Sequence, residues 1–272
     1  MLRGGEYRDW YHNRGATSYR VVRKRLTFQA YPGEAPWLNG ADLVSASAFT
    51  KSARNDQYFI PWQTPEFCDC GTSHARQTVY PNEGPCSHFD MSGDRSHPLA
   101  GDPQMVFVNG MALHQVADRT MLTSETFYYD WAKRRIFLGA SPKGQQVEIS
   151  SRPVALVLAR AKFRVLGLGF RKYASNEFGN TTGSALKINR AVSLVENSVF
   201  TQNAALGLTF SRPRPGTAAR SNVFAVNGYT ALGGNGDSRT GRRNDLVVED
   251  NIFYGNKCRT VRIARHHVGP LQ

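Results

Sequence analysis

The sequence predicts an all-β chain wound as a right-handed parallel β-helix, a solenoid, with a loop and hairpin segment inserted into it. A recurring phrase is the first reason. It reads Ser198-Val199-Phe200-x-x-Asn203, then Asn222-Val223-Phe224-x-x-Asn227, then Asn251-Ile252-Phe253-x-x-Asn256, with the phenylalanines 24 and 29 residues apart. A period of that size marks stacked repeats. Short segments rich in Val, Ile, Phe and Tyr, bounded by Gly, Pro and Asn, are the second reason, because that is the composition of strands. The third is that no stretch carries the apolar spacing of a convincing amphipathic helix.

Taken in order, residues 1–50 read as incomplete N-terminal coils, with "YRVVRKRLTFQAY" (19–31) as their clearest strand signal. Residues 51–150 read as an inserted segment. Its first half, to about residue 103, is polar, rich in Pro and Gly and without periodicity, and a structureless loop of that length is unusual inside a compact domain. "QMVFVNG" (104–110) then restores a strand pattern, and "TFYYDWAKRRIFLG" (126–139) reads as a hairpin turning at Ala132-Lys133-Arg134. "QVEIS" (146–150) leads back to the coils of residues 151–272.

Each of those coils has one grammar: an apolar strand, a turn residue, Val or Ile followed by Phe, a second turn at Asn, and a strand of small residues. A fainter copy, "LGFRKY", puts Phe170 thirty residues before Phe200, with Tyr173 where the asparagine would stand. Stacked coils place like side chains over one another. Phe170, Phe200, Phe224 and Phe253 are therefore expected to form one internal stack. Ser198, Asn222 and Asn251 should line one turn, and Asn203, Asn227 and Asn256 the next, as ladders suited to asparagine's tolerance of left-handed backbone.

Composition narrows the function. The 272 residues are 40% hydrophobic and 20% charged, which is globular. Lys+Arg 34 against Asp+Glu 21 gives +13, spread along the chain, a field that favours a polyanion such as nucleic acid or an acidic polysaccharide. No helix-turn-helix or zinc-finger pattern supports nucleic acid, so none is expected as partner. Motifs for phosphate loops, zinc proteases and serine hydrolases are absent. No run of 18 apolar residues predicts a membrane span.

The phrases "LRGGEYRD" and "LTFQAYPGEAPWLNG", then "HPLAGDPQMVFVNGMALHQV" and "TFYYDWAKRRIFLG", then the repeats to the end, carry a likeness. Through them the chain resembles the bacterial right-handed parallel β-helix repeat proteins of the pectate-lyase-like superfamily, especially secreted carbohydrate-active members. The resemblance implies an extracellular full-length parent, although "MLRGGEYRDW" has no apolar core of a signal peptide. It also implies that the "GGxYR" phrase closes a first coil whose beginning is missing, and that the end at "KCRTVRIARHHVGPLQ" lacks a cap.

In that family substrate lies across the strand after the second turn, here "SALKIN" (184–189), "AALGLTF" (204–210), "GYTALGG" (228–234) and "KCRTVRI" (257–263). If Leu186 and Ile188 point inward, alternation sends Lys187 and Asn189 outward. The sequence alignment sets Thr209, Gly233 and Arg262 beside Asn189, with Asn189, Thr209 and Arg262 as expected substrate contacts. Uronate β-elimination needs a base, an acid for the leaving oxygen and a cation for the carboxylate. Lys187 is the expected base, with Arg171 and Tyr173 as further catalytic candidates, Tyr173 as proton donor. Arg212, Arg214 and Arg262 are expected to bind carboxylate.

Asp237, Asp245 and Glu249 gather near Arg239, Arg242 and Arg243. Resemblance implies Ca²⁺ there, while pairing with the arginines is the simpler alternative; the cofactor is either none or Ca²⁺. In the inserted segment Cys68, Cys70 and Cys86 lie near His74 and His88. Their spacing departs from the usual zinc pattern. For an exported protein a disulfide of Cys86 with Cys68 or Cys70 is expected instead.

The leading expectation is thus a carbohydrate-active protein acting on an acidic polysaccharide by uronate β-elimination. A noncatalytic polyanion-binding or structural module is one alternative. A glycoside hydrolase on the same fold is another, and would need two facing carboxylates. Oligomeric state is not legible.

Overall fold

The computed structural model describes residues 1–8, 21–53, 56–62, 99, 104–174, 184–235, 246–256 and 259–264. They belong to two compact units. One comprises Met1–Gly40, Arg152–Glu177 and Thr181–Gln272; the other comprises Ala41–Ser151 with Phe178–Asn180.

In the first unit, three all-parallel sheets share out the chain. The first sheet runs, in spatial order, Val21–Val22, Leu156–Ala159, Ser184–Asn189, Leu206–Ser211, Thr230–Asn235 and Arg259–Ala264. The second contains Leu26–Gln29, Lys162–Leu166, Val192–Glu196, Thr217–Arg220 and Leu246–Glu249. Gly5–Tyr7, Pro36–Asn39, Gly169–Arg171, Val199–Thr201, Val223–Ala225 and Ile252–Tyr254 make the third. From Leu156 onward the chain visits first, second and third sheet in turn, and each visit adds a strand beside the previous one. Parallel neighbours need long connections, and from Leu156 onward each connection runs through the other two sheets.

The repeats behave as their spacing requires. Ring centroids of Phe170 and Phe200, Phe200 and Phe224, and Phe224 and Phe253 lie 4.8, 4.9 and 5.2 Å apart, with planes within 9° of parallel. That spacing is the distance between neighbouring strands, about 4.8 Å. Both side-chain ladders are present. Asn203 Nδ2 donates to Asn227 Oδ1 (2.9 Å), and Asn227 Nδ2 to Asn256 Oδ1 (2.8 Å). At the other turn the Ser198 backbone N–H donates to Asn222 Oδ1 (3.0 Å), and Asn222 Nδ2 to Asn251 Oδ1 (2.9 Å).

Left-handed backbone falls one residue before these ladders, at Asn197, Gln202, Ser221, Val226 and Asp250, rather than on the ladder residues. The ladder side chains must turn inward to reach the amides above them, and the residue before each one takes the bend. Tyr173 fits the scheme as a copy without the amide: its backbone N–H still donates to Asn203 Oδ1 (3.1 Å).

The second unit is mostly antiparallel. Ala41–Val44, Val147–Ser150, Val106–Val108 and Met111–Ala112 form one sheet; His114–Gln115, Thr126–Asp130, Arg135–Leu138, Tyr58–Pro61 and Thr50–Lys51 form the other. The hairpin closes on the pair Asp130 and Arg135, with Arg134 in left-handed backbone and Asp130 Oδ1 accepting from the Lys133 N–H (2.9 Å). Its core gathers Val106, Phe127, Tyr129, Ile136, Val147 and Ile149. Among the described residues, helix is confined to the short turns Ala46–Ala48 and Arg119–Met121, and no helix is long and apolar enough to cross a membrane.

Candidate functional site

The outward face of the first sheet is built by alternation. Leu186, Ile188, Leu208, Phe210 and Leu232 are buried, which leaves Lys187, Asn189, Thr209 and Ser211 on the other face, each partly exposed. Pairing passes from Ser184 and Leu206 directly to Leu186 and Leu208, and from Leu206 to Leu208 the intervening Gly207 faces the core. A Cβ on Gly207 would come within 2.7 Å of Phe200 Cβ.

The register corrects the sequence alignment. Thr209 pairs with Lys187 rather than with Asn189, Gly233 pairs with Thr209, and Arg262 pairs with Gly233. Asn189 pairs with Ser211, and Ser211 with Asn235. The reason is packing: this register stacks Leu186 on Leu208 and Ile188 on Phe210, and it extends the strand to Ser211, beyond the expected end at 210. Leu206 Cδ2 lies 2.5 Å from where a Gly233 side chain would start, so glycine there accommodates the leucine. The side chain of Arg262 lies outside the described residues.

Lys187 is half-buried, and loss of hydration pushes its ammonium below the usual lysine range. That shift favours the neutral amine, the form that can accept a proton.

The other catalytic candidates are placed elsewhere. Tyr173 is 3% exposed, packed in the core of the coils, and burial pushes its phenol up. A proton donor on the outer face it is not. Arg171 ends a strand of the third sheet, ion-paired to Glu6, which also holds Arg8, and its guanidinium sits 5.0 Å above the Trp37 ring. Its charge is already engaged away from the strand of Lys187. The carboxylate of Glu249 pairs with Arg220 Nε (2.6 Å). Asp237, Asp245, Cys68, Cys70, Cys86, His74 and His88 lie outside the described residues. Among the described residues no group of three His, Cys, Asp or Glu could hold a metal.

Arg212 and Arg214 stand at the corner where the chain leaves the first sheet for the second. Arg214 Nε donates to the Arg190 carbonyl (3.1 Å) and lines a cleft of about 530 Å³ together with Arg23, Arg25, Arg160, Lys162 and Arg190. Of these cations sequence reading singled out only Arg214. The missed signal was positional: Arg23, Arg160, Arg190 and Arg212 each come directly after a first-sheet strand.

No family model and no curated protein matches the chain. Among solved structures it is similar to a structure of XylC in complex with xylose, at 12% identity and a TM-score of 0.47, over 95% of this chain and 57% of that one. The chain therefore spans less than two thirds of that protein.

Proposed function

We propose that this chain is a right-handed parallel β-helix protein that acts on an acidic polysaccharide by uronate β-elimination at the outer face of the first sheet, with Lys187 as base. The observation that carries the reading is the row in which a half-buried lysine with a depressed amine stands beside Thr209, two residues from Asn189. The neutral Lys187 amine removes the proton next to the uronate carboxylate. The electron pair forms the carbon–carbon double bond and expels the glycosidic oxygen, to which the resulting ammonium can return the proton now that Tyr173 lies inside. Thr209 and Asn189 offer hydrogen bonds to sugar hydroxyls, and Arg262, whose backbone pairs with Gly233, is the residue assigned to neutralise the carboxylate in this reading. An extracellular location accompanies this reading, because such polymers do not cross membranes.

The described outward positions of the first sheet hold no Asp or Glu, which weighs against the two-carboxylate chemistry of a glycoside hydrolase. The test is incubation with polygalacturonate, alginate and chondroitin sulfate, followed by ultraviolet absorbance of the unsaturated product. Turnover by the wild type that is lost in Lys187→Ala supports the proposal. Absence of product from all three polymers sinks it and leaves the noncatalytic module.

A further inference from the structure

Four successive corners between the first and second sheets open with arginine: Arg23 after Val21–Val22, Arg160 after Leu156–Ala159, Arg190 after Ser184–Asn189 and Arg212 after Leu206–Ser211. The last three adopt left-handed backbone, with φ of 60°, 50° and 52°. The corners are stacked by backbone hydrogen bonds, Arg160 N–H to the Asn189 carbonyl (3.0 Å) and Arg190 N–H to the Ser211 carbonyl (2.8 Å). Left-handed turns favour Gly, Asn and Asp, and arginine brings no advantage to the bend itself. Turn geometry does not explain why three such positions carry a cation.

Among the described residues, the cleft these corners border is lined by Arg23, Arg25, Arg160, Lys162, Arg190 and Arg214, with Ala161 and Val192 besides. Among the described residues no carboxylate lines it, and no ion pair engages any of the six. Close like charges repel one another and are stabilised by an anion brought between them. Two shielded polar atoms, one on Arg190, which lines the cleft, and one on Asn189, the residue before it, lack partners among the described residues. Arg190 Nε needs an acceptor, and Asn189 Oδ1 needs a donor. A sugar acid supplies both, an anionic oxygen and a hydroxyl.

We propose that this corner is a binding site for an acidic polysaccharide, laid along the stacking direction of the coils so that successive anionic groups meet successive corners. Adjacent corners repeat at the strand spacing, about 4.8 Å, so an extended chain in that direction passes one arginine per coil. Planar guanidinium forks grip carboxylate and sulfate alike. Single-stranded nucleic acid is the lesser fit, because the described residues of the cleft include no aromatic side chain on which a base could stack. The site shares its ligand class with the lyase reading, but does not depend on Lys187 chemistry.

The experiment is titration of the whole chain with polygalacturonate, dextran sulfate, neutral dextran and oligothymidylate. It is repeated on Arg160→Asn with Arg190→Asn, since asparagine accepts the left-handed turn and removes the charge. The expected result is binding to one or both charged polysaccharides and none to neutral dextran, weakened about tenfold for each arginine removed, with an unchanged melting temperature. Preference between the two polymers identifies carboxylate or sulfate as the anion. No binding, equal affinity in the folded double variant, or tighter binding of oligothymidylate than of either polysaccharide would overturn the proposal. Arginine-dependent binding without any elimination product would leave this site standing and remove only the lyase reading. Retained affinity in Lys187→Ala would show that the corner holds the polymer by itself.

Discussion

Phe200 lies flat on Phe224, ring centroids 4.9 Å apart and planes 9° from parallel, both fully buried. Each ring is the other's packing surface and also that of the coil beyond, so the stack ties the coils into one core.

Phe224→Ala is expected to cost about 3–5 kcal/mol, the range for deleting a buried phenylalanine, measured by chemical denaturation. Phe253→Ala, at the partly buried end of the row, should cost clearly less.

Asn227 acts on both sides of its turn. Its Oδ1 accepts from the Asn203 backbone N–H (3.3 Å) and Nδ2 (2.9 Å), while its own Nδ2 donates to the Phe200 carbonyl (3.1 Å). Asn227→Ala leaves these buried groups unpaired and should cost at least about 1–3 kcal/mol. Asn227→Leu, with its extra apolar surface, should rescue none of it if the ladder rather than burial is what stabilises.

These two rows were legible in the sequence because Phe and Asn recur at a fixed offset inside each coil. The Lys187 row was misread for the opposite reason. Ser184–Asn189 and Leu206–Ser211 follow their third-sheet strands at different distances along the sequence, and their register is set by contacts of Leu186 and Ile188 that only the folded chain displays. Tyr173 was named as a proton donor for the chemistry of its side chain, although the repeat already set it in the asparagine row, and that row is where the fold buries it. Of the corner cations the sequence singled out Arg212 and Arg214, but not Arg23, Arg160 and Arg190, because arginine is not a turn residue and their positions come together only in the stacked sheets.

Lys187 has a lowered proton affinity in the folded chain through burial. The folded state therefore binds fewer protons than the unfolded state between the depressed value and the usual lysine value of about 10.4. Stability should rise with pH across that window and level off above it. Lys187→Met should lack this rise in denaturation midpoints measured from neutral to alkaline pH. In the enzyme assay, elimination should increase as the ammonium loses its proton, with a midpoint below that of free lysine.

The register around Lys187 decides which side chains share its face, and disulfide trapping measures it most directly. Neighbouring strands bring paired residues to about 5 Å between Cα atoms, within reach of a disulfide. The pairing of Lys187 with Thr209 predicts that Lys187→Cys with Thr209→Cys cross-links readily under mild oxidation, whereas Asn189→Cys with Thr209→Cys does not. Efficient cross-linking of the second pair and failure of the first would contradict the register, and with it the grouping of Lys187, Thr209 and Arg262.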